Sequence, residues 1–431
     1  MRVVIIGGGF AGYNTAKTLR KALPEETEIV LLNPTDYFLY LPLLPEVAAG
    51  ILDPRRVSVS IPATLPGARL ALGAAKSVDL QRKHVTYVDT EDNEHMLAYD
   101  RLVLAAGSVN KLLPIPGVAK YAHGFRGLPE ALYLRDHITR QIELAASTDD
   151  PKERDARCTF VVVGAGYTGT EVAAQGPAFT AALASRHPEL ANQEIRWMLL
   201  DVAPRVLPEL DERLGRAAGR VLRSREVDVR METSISDADT TGVTLTTGQA
   251  VPTRTLVWCV GVRPDPLVEA FGLETAQGRL VVDTRLTVPG HPEVFACGDA
   301  AAVPDLTRPG KLTAMTAQHA ERQGKLAARN VAASLGYGTS AEYRHHDLGF
   351  VVDLGAHQAA ANPLHIPLSG LPAKAVTRAY HLLAMPGNRL RTAIDWALEA
   401  VSKRQTVQLG LVRAKNVPLD TDAPELPRGS R

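Results

Sequence analysis

The stretch Arg2-Val3-Val4-Ile5-Ile6-Gly7-Gly8-Gly9-Phe10-Ala11-Gly12 decides the fold of this chain. Its apolar, β-branched first half is typical of a buried strand. Gly7, Gly9 and Gly12 then follow in the spacing Gly-x-Gly-x-x-Gly, which permits a tight turn, close approach of the backbone to a pyrophosphate, and close packing of the next helix on the sheet. An amphipathic segment, Tyr13 to Leu23, comes next. The order of strand, glycine turn and helix predicts a dinucleotide-binding unit.

The same order recurs in the middle of the chain. Phe160-Val161-Val162-Val163-Gly164-Ala165-Gly166-Tyr167-Thr168-Gly169 is a second strand and glycine turn. Downstream of each turn, a predicted hairpin (84–99 and 243–249) leads into an apolar strand that ends at Ala106-Gly107 or at Gly261. The chain therefore carries an internal duplication, and two turns in the same context predict two bound dinucleotides.

The strand after each helix ends in a polar residue, where such units hold the ribose hydroxyls. Glu28 to Leu32 ends at Asn33, and Ile195 to Leu200 ends at Asp201. A carboxylate at Asp201 would repel the 2′-phosphate of NADPH, so it favours NADH. Arg205, four residues further along, argues the other way, because an arginine near this position can accommodate the 2′-phosphate of NADPH.

Composition places the chain among ordinary globular proteins. It has 431 residues, 45% of them hydrophobic and 22% charged, with a net charge of +1. This length allows two or three domains, and the charge balance gives no basic field for nucleic acid. The three cysteines, Cys158, Cys259 and Cys297, form no closely spaced pair, so we expect neither a disulfide relay nor a metal site. No run of residues reaches transmembrane length.

Three stretches each fit two interpretations. Asp36 to Glu46, unusually apolar and aromatic, either lines a cofactor or packs as a core loop. Gly298-Asp299, after an apolar strand, either meets cofactor hydroxyls or begins a helix. Gln318 and Arg322 lie four residues apart, so on a helix they either line one cavity or form a solvated face.

Together these residues resemble the two-dinucleotide flavoproteins, the pyridine nucleotide-disulfide oxidoreductase fold, and most of all the type II NADH dehydrogenases. The similarity runs from residue 1 to about residue 410. It implies an enzyme that passes a hydride from NADH to FAD and electrons onward to a quinone, without pumping protons. The second turn is followed by Glu171, which matches a family glutamate located where nicotinamide and flavin meet; the alternative role for this residue is a helix-dipole partner.

The resemblance assigns the other site residues as well. FAD is expected on Gly7, Gly9, Phe10, Ala11, Gly12, Asn33, Ala106, Gly107, Gly298, Asp299 and Ala317. NADH is expected on Gly164, Gly166, Tyr167, Thr168, Gly169, Asp201 and Gly261. The family's quinone motif, Ala-Gln-x-Ala-x-Gln, reads Ala317-Gln318-His319-Ala320-Glu321-Arg322 here, so Gln318 and Arg322 are the expected acceptor-site residues. Arg322 departs from the family glutamine.

The expected fold is α/β with two Rossmann-like domains. The FAD-binding domain is discontinuous (1–112 and 265–335), and the NADH-binding domain (113–264) is inserted into it. A C-terminal segment of strands and amphipathic helices (336–405) and a tail (406–431) follow.

The C-terminal segment is interpreted as a membrane-surface anchor. Ala373 to Arg404 predicts two helices broken at Pro386-Gly387, each with an apolar stripe. Basic residues, including Lys374, Lys403 and Arg404, surround the stripes, and Trp396 would lie at headgroup depth. The alternative is a dimerisation or core-packing face.

Three functions remain in view. The first is a quinone reductase, peripheral on the inner face of the cell membrane, with a homodimer among its expected assemblies. The second is a soluble NADH-dependent reductase with a ferredoxin-type protein or small-molecule acceptor. The third is a non-catalytic redox-sensing flavoprotein.

Overall fold

The computed structural model describes residues 1–402 and 404–426. Its strands are β1 (Arg2–Ile6), β2 (Glu28–Asn33), β3 (Tyr37–Leu39), β4 (Ser58–Ser60), β5 (Arg69–Asp79), β6 (His84–Asp89), β7 (Glu94–Ala98), β8 (Arg101–Leu104), β9 (Ser108–Asn110), β10 (Ala122–His123), β11 (Thr159–Val163), β12 (Arg196–Asp201), β13 (Val227–Met231), β14 (Ile235–Ala238), β15 (Gly242–Leu245), β16 (Ala250–Pro252), β17 (Thr255–Trp258), β18 (Val262–Pro264), β19 (Thr275–Ala276), β20 (Arg279–Val281), β21 (Thr287–Val288), β22 (His291–Ala296), β23 (Ala301–Ala302), β24 (Val351–Asp353), β25 (Ala359–Ala361) and β26 (Leu368–Ser369). Its helices are α1 (Phe10–Ala22), α2 (Leu44–Ala48), α3 (Pro54–Val57), α4 (Ile61–Thr64), α5 (Val118–Tyr121), α6 (Leu128–Ser147), α7 (Pro151–Arg157), α8 (Tyr167–Ala184), α9 (Glu212–Ser224), α10 (Leu267–Ala270), α11 (Ala317–Ser334), α12 (Gly370–Ala384) and α13 (Arg389–Val401). The predicted α/β class is confirmed.

The chain forms two compact units, each assembled from three stretches of sequence. Unit 1 comprises Met1–Leu39, Ser58–Val109 and Val262–His346. Unit 2 comprises Tyr40–Val57, Asn110–Gly261 and the chain from Asp347 onward. The segment 336–405 is therefore divided between the two units. The predicted limits of the two cofactor domains stay a prediction.

The sheet of unit 1 is built around β1. Val3, Val4 and Ile5 of this strand have no exposed surface, as expected for a parallel strand covered on both faces. The strand order is β21-β22-β8-β1-β2-β5-β6-β7. Strands β22, β8, β1, β2 and β5 are parallel, and β6 with β7 forms the predicted hairpin. Because β22, β8 and β1 are parallel neighbours, the loops that follow them lie at one edge.

Helices α1 and α11 pack together beside this sheet. Gly324 allows their close approach, since a Cβ at this position would overlap the backbone of Ala11. Thr15 of α1 also donates a hydrogen bond to the Gly324 carbonyl (3.1 Å). Gly324 thus lets α11 pack closely against α1, the helix that follows Gly7-Gly8-Gly9.

Unit 2 repeats the arrangement around β11. Five parallel strands run in the order β10-β17-β11-β12-β13, and β14, β15 and β16 form a separate antiparallel sheet. Val161, Leu200 and Trp258 are buried in the core between them. The duplication predicted from the sequence is present in the strand and helix order.

The C-terminal helices α12 and α13 belong to unit 2 and end on either side of Pro386-Gly387, as predicted. Their outer faces expose large apolar side chains. The most exposed are Leu371, Leu383, Leu390, Leu398 and Val401, and Val407, Leu409 and Leu411 continue the series beyond α13. We call these eight residues the outer apolar surface.

Two interpretations of this segment were wrong. Trp396 is 4% exposed and donates its indole N–H to Glu46 Oε2 (2.5 Å), so it cannot lie at headgroup depth. Lys374 is buried against Asp353 (2.5 Å), so it is not part of a basic rim. Arg404 pairs with Glu399, and Lys403 lies outside the described residues. The exposed cations are Arg389 and Arg391, fewer than the sequence suggested.

Part of the tail is buried, although Val407, Leu409 and Leu411 at its start are exposed. Leu419 is 1% exposed and lies in the core that contains Trp258. Gly410 donates its backbone N–H to Asp136 (2.7 Å). Among the described residues, no helix combines the length and the apolar character needed to cross a bilayer.

Candidate functional site

The first glycine turn connects β1 to α1 in unit 1. Gly7 has φ +97°, and a Cβ at this position would overlap the Ala105 carbonyl at the end of β8. A Cβ at Gly12 would overlap the Gly7 carbonyl. At Gly9, by contrast, a Cβ would meet nothing within 4 Å. The first and third glycines are therefore required for packing, and the second borders open space.

The loops after β8 and β22 reach the same edge. Ser108 follows Gly107 and donates its hydroxyl hydrogen to Asp299 Oδ2 (2.5 Å). Gly107 has φ +80° with open space around its Cβ position, whereas Gly298 (φ +72°) packs against Ala11. The structure thus brings Gly107 and Asp299 together beside the first turn.

Gln323 holds this edge in place and was missed by the sequence analysis. It is 1% exposed, and its Oε1 accepts the Gly298 N–H (2.8 Å) while its Nε2 donates to Thr313 (3.0 Å). Its position one residue after the quinone motif gave no signal, because a helical glutamine looks like any solvated polar residue.

The second glycine turn connects β11 to α8 in unit 2 and repeats the first turn closely. Gly164 (φ +106°) fits against the Cys259 carbonyl, and Gly169 fits against the Gly164 carbonyl. Cβ positions at Gly166 and Gly261 meet nothing within 4 Å. Tyr167 lies at the start of α8, with its ring 5.7 Å from that of Phe350.

The residue at the end of the second strand braces each turn. Asn33 Oδ1 accepts the Gly8 N–H (2.7 Å), and its amide nitrogen donates to the Thr35 carbonyl (2.9 Å). Asp201 accepts the Ala165 N–H with one oxygen (2.5 Å) and the Ala203 N–H with the other (2.7 Å). Both side chains hold the backbone of the turn in addition to any contact with a ribose.

Both turns fit a pyrophosphate. Helices α1 and α8 begin with no acidic side chain in the first turn, so the positive ends of their dipoles are not neutralised there. Backbone N–H groups at such a terminus are an anion-binding site. The open space at Gly9 and Gly107, and again at Gly166 and Gly261, leaves room for a dinucleotide in each unit.

Arg205, the basic residue near Asp201 that would favour NADPH, forms hydrogen bonds within its own loop. Its guanidinium donates to the carbonyls of Pro208 (2.8 Å) and Leu210 (2.7 Å). These bonds engage the Nη2 donors of Arg205 within its own loop.

Glu171 lies in the first turns of α8 and is 8% exposed. Its Oε1 accepts the backbone N–H of Asp353 (2.9 Å). Burial raises the pKa of this carboxyl well above its usual value, and the nearby carboxylates of Asp353 and Glu46 raise it further, against the opposing charge of Lys374. Glu171 therefore tends to hold a proton.

Glu46 is a second buried acid in the same unit and was not predicted as a site residue. Burial raises its pKa to about 7, with a contribution from Asp353, while Lys374 and the Trp396 hydrogen bond oppose the shift. Three carboxylates share one buried lysine, so the cluster cannot ionise fully without cost. No local sequence pattern predicts this cluster, because Glu46, Glu171, Asp353 and Lys374 come from four separate stretches of the chain.

The expected acceptor residues lie at the start of α11. Gln318 is half-buried. Arg322 donates to His345 Nδ1 (3.1 Å) and to the His346 carbonyl. His345 in turn stacks on His319, with ring centroids 4.1 Å apart. The guanidinium is thus held by the segment that ends unit 1.

The cysteines support no dithiol relay. Burial raises the pKa of the Cys259 and Cys297 thiols to about 12 and that of Cys158 to about 11, so all three stay protonated at neutral pH.

A family model described as pyridine nucleotide-disulphide oxidoreductase matches residues 1–324. The chain is 32% identical over 423 residues to the type II NADH:quinone oxidoreductase NdhA of Mycobacterium tuberculosis, covering 93% of this chain and 87% of that protein. It is 28% identical to the type II NADH:quinone oxidoreductase of Staphylococcus aureus over 381 residues, covering 86% and 91%.

Among solved structures, NDH2 of Plasmodium falciparum in complex with NADH is similar with a TM-score of 0.86. The match covers 94% of this chain and 99% of that one at 18% identity. This likeness confirms the fold over both units.

Proposed function

Because the chain belongs to the pyridine nucleotide-disulphide oxidoreductase family and, within it, to the type II NADH:quinone oxidoreductases, we propose that it oxidises NADH with a bound FAD and reduces a quinone. The observation that carries this proposal is the pair of matched glycine turns, each with an open second glycine at an uncapped helix start. When bound, FAD accepts a hydride from NADH and passes two electrons to the acceptor.

The first turn is the proposed FAD site. Gly9 and Gly107 leave space for the pyrophosphate, with Phe10, Ala11 and Gly12 supplying the helix start. Asp299, held by Ser108, is placed to accept hydrogen bonds from ribityl hydroxyls. Asn33, Ala106, Gly298 and Ala317 complete the proposed lining.

The second turn is the proposed NADH site. Gly166 and Gly261 provide the open space, and Tyr167, Thr168 and Gly169 begin the helix that faces the pyrophosphate. Asp201 supplies a carboxylate for ribose hydroxyls and disfavours a 2′-phosphate. The Nη2 donors of Arg205 bind carbonyls of its own loop, so these bonds would have to break before the same donors could bind a 2′-phosphate.

Glu171 is the proposed catalytic residue on this side. A buried carboxyl that tends to hold a proton can donate a hydrogen bond to the nicotinamide without adding a negative charge to the NADH site. Glu171→Gln should slow flavin reduction by NADH and leave the melting temperature nearly unchanged. A folding defect with an unchanged reduction rate would instead support the helix-dipole role.

Gln318 and Arg322 are the proposed acceptor-site residues. Arg322→Gln, which restores the family motif, should change KM for a short-chain quinone several-fold. Flavin reduction by NADH, measured by stopped flow, should stay at the wild-type rate. Equal effects on both half-reactions would argue against an acceptor-site role.

One anaerobic titration tests the overall assignment. NADH should bleach the flavin absorption of the purified protein, and a short-chain quinone should restore it. Re-oxidation by a ferredoxin but not by a quinone would favour the soluble-reductase alternative. A bleached flavin that neither acceptor restores would favour the sensor.

We also place the enzyme at the inner face of the cell membrane, attached through the outer apolar surface. Side chains such as Leu383 (75% exposed), Leu390 (74%) and Val401 (83%) would be buried among lipid chains. Burial of these apolar side chains supplies the binding, and the exposed cations Arg389, Arg391, Arg413 and Lys415 in the same stretch of chain add attraction to an anionic surface. A homodimer stays a prediction.

Point substitutions test this attachment better than a truncation of the C-terminal segment, which would remove Leu419 from the core. The triple variant Leu383→Ser, Leu390→Ser, Val401→Ser should lose vesicle co-sedimentation and turnover with long-chain quinones, yet keep NADH-dependent ferricyanide reduction. Met96→Ser, at a residue in unit 1 that is 72% exposed, is the matched control. Vesicle binding by the triple variant at the wild-type level would contradict the attachment.

A further inference from the structure

Arg225 follows α9 in unit 2 and donates to three backbone carbonyls. Its guanidinium reaches the Ala174 carbonyl in α8, the Leu354 carbonyl, and the Gly355 carbonyl (2.9 Å) after β24. A planar guanidinium presents five donors in a fixed fork, so it reaches acceptors that lie further apart than those around the compact ammonium of a lysine. Arg225 therefore ties the body of α8 to the turn after β24.

That turn is shaped to receive the guanidinium. Gly355 has φ +73°, and a Cβ at this position would lie 3.0 Å from Arg225 Nη1 and 3.1 Å from Gln175 Cγ. Asp353 Oδ1 accepts the Gly355 N–H (2.7 Å), and the Gly355 carbonyl also accepts the Gln358 N–H (3.0 Å). The turn is closed by its own hydrogen bonds and by Arg225.

Both elements that Arg225 joins meet at Glu171. Ala174 is three residues after Glu171 on α8, and Leu354 directly follows Asp353, whose backbone N–H donates to Glu171 (2.9 Å). The side chain of Asp353 simultaneously holds Lys374 (2.5 Å). A shift of the 353–355 turn would therefore lengthen the hydrogen bond to Glu171.

We propose that Arg225 is a positioning residue for Glu171, acting through the turn 353–355 rather than through any contact with substrate. The proposal rests on the proposed function, because it concerns the acid assigned to the NADH side of the reaction. It adds a residue that neither glycine turn nor quinone motif points to.

The direction of the effect follows from the charges that face Glu171. These are Asp353 at the end of β24, Glu46 on α2, Lys374 on α12 and the phenol of Tyr167 on its own helix. The Asp353 N–H stabilises the ionised form of Glu171 and lowers its pKa, against burial and the two carboxylates. Weakening this hydrogen bond should therefore raise the pKa of Glu171 further.

The test measures Glu171 directly in the oxidised holoenzyme. Its carboxyl C=O infrared band, identified by its absence in Glu171→Gln, is followed against pH. In Arg225→Met the midpoint should move upward by about one pH unit, and the pH profile of flavin reduction should move the same way. Arg220→Met, at an exposed arginine on α9, should leave both unchanged.

Two further variants keep the outcome decisive. Arg225→Lys restores the positive charge and a compact group of donors, and it should give an intermediate shift. If Arg225→Met does not fold, Arg225→Lys takes its place. In a Glu171→Gln background, Arg225→Met should change flavin reduction less than about twofold. An unshifted infrared midpoint overturns the proposal. If Glu171→Gln alone leaves flavin reduction unchanged, the proposed function of Glu171 fails, while the infrared shift still decides the role of Arg225.

Discussion

In the first glycine turn the side chain that holds the backbone is an uncharged amide, Asn33, whereas in the second it is the carboxylate of Asp201. Each accepts the N–H of the residue after the first glycine, Gly8 or Ala165. The backbone bonds match as well, with Gly7 N to Leu32 O at 2.9 Å and Gly164 N to Leu200 O at 2.8 Å. Because an amide oxygen accepts the corresponding N–H in the first turn, the bond to Ala165 does not require the charge of Asp201.

The second polar atom of each side chain explains why one turn has an asparagine and the other an aspartate. The Asn33 amide nitrogen donates to the Thr35 carbonyl, a bond that a carboxylate could not make. The second Asp201 oxygen accepts the Ala203 N–H, a bond that an amide nitrogen could not make. The local backbone thus fixes amide in one turn and acid in the other, and the negative charge is available for coenzyme selection.

The largest effect is expected from Gly9→Val in the first turn. The side chain would enter open space, so the fold should survive while the FAD pyrophosphate is excluded. We expect folded, colourless protein with no NADH oxidation, as measured by absorption spectrum, circular dichroism and turnover. A yellow, active variant would contradict the assignment of FAD to this turn.

Gly166→Val is the matched change in the second turn. It should leave the flavin content normal and weaken NADH about a hundredfold or more, because the same pyrophosphate position is blocked. Titration of the flavin spectrum with NADH measures this loss. Loss of flavin instead of NADH affinity would reverse the two assignments.

Asp201→Asn gives the second turn the side chain of the first. The preference for NADH over NADPH, measured as a ratio of kcat/KM values, should fall about tenfold because the charge is lost. The Ala203 N–H also loses its acceptor, which costs about 1 kcal/mol of folding stability. An unchanged coenzyme ratio would mean that selection lies elsewhere.

Asn33→Asp makes the reciprocal change and should have the smallest effect on activity. The Thr35 carbonyl would lose its donor, at a cost of about 1–3 kcal/mol in the free energy of unfolding. Flavin content should remain near the wild-type value, and a thermal melt should show a lower Tm. An unaltered Tm would mean that the amide nitrogen is dispensable.

The features predicted correctly from the sequence are those in which local residues decide the structure. Both strand–glycine–helix units, the hairpins and the break at Pro386-Gly387 depend on periodicity and on glycine or proline within a few residues. The side chains of Lys374 and Trp396 were placed wrongly because their partners, Asp353 and Glu46, are distant in sequence. The pattern of residues in a helix shows which face is apolar. It does not show that a buried carboxylate from another part of the chain binds Lys374 or Trp396.

Arg225 and Gln323 were missed for the same reason. Each acts on backbone atoms of a distant turn, and backbone atoms leave no trace in a sequence pattern. The site residues themselves stay predictions, although the glycines among them show the geometry that a dinucleotide requires.

The burial of Leu419 has a consequence for the order in which the chain folds during synthesis. All three stretches of unit 1 have been made once His346 emerges, whereas the core around Val161 and Trp258 lacks Leu419 until much later. That core therefore stays incomplete while about 160 further residues after Trp258 are translated. Unit 2 should depend on chaperones more than unit 1, even though the second glycine turn is made well before the last stretch of unit 1.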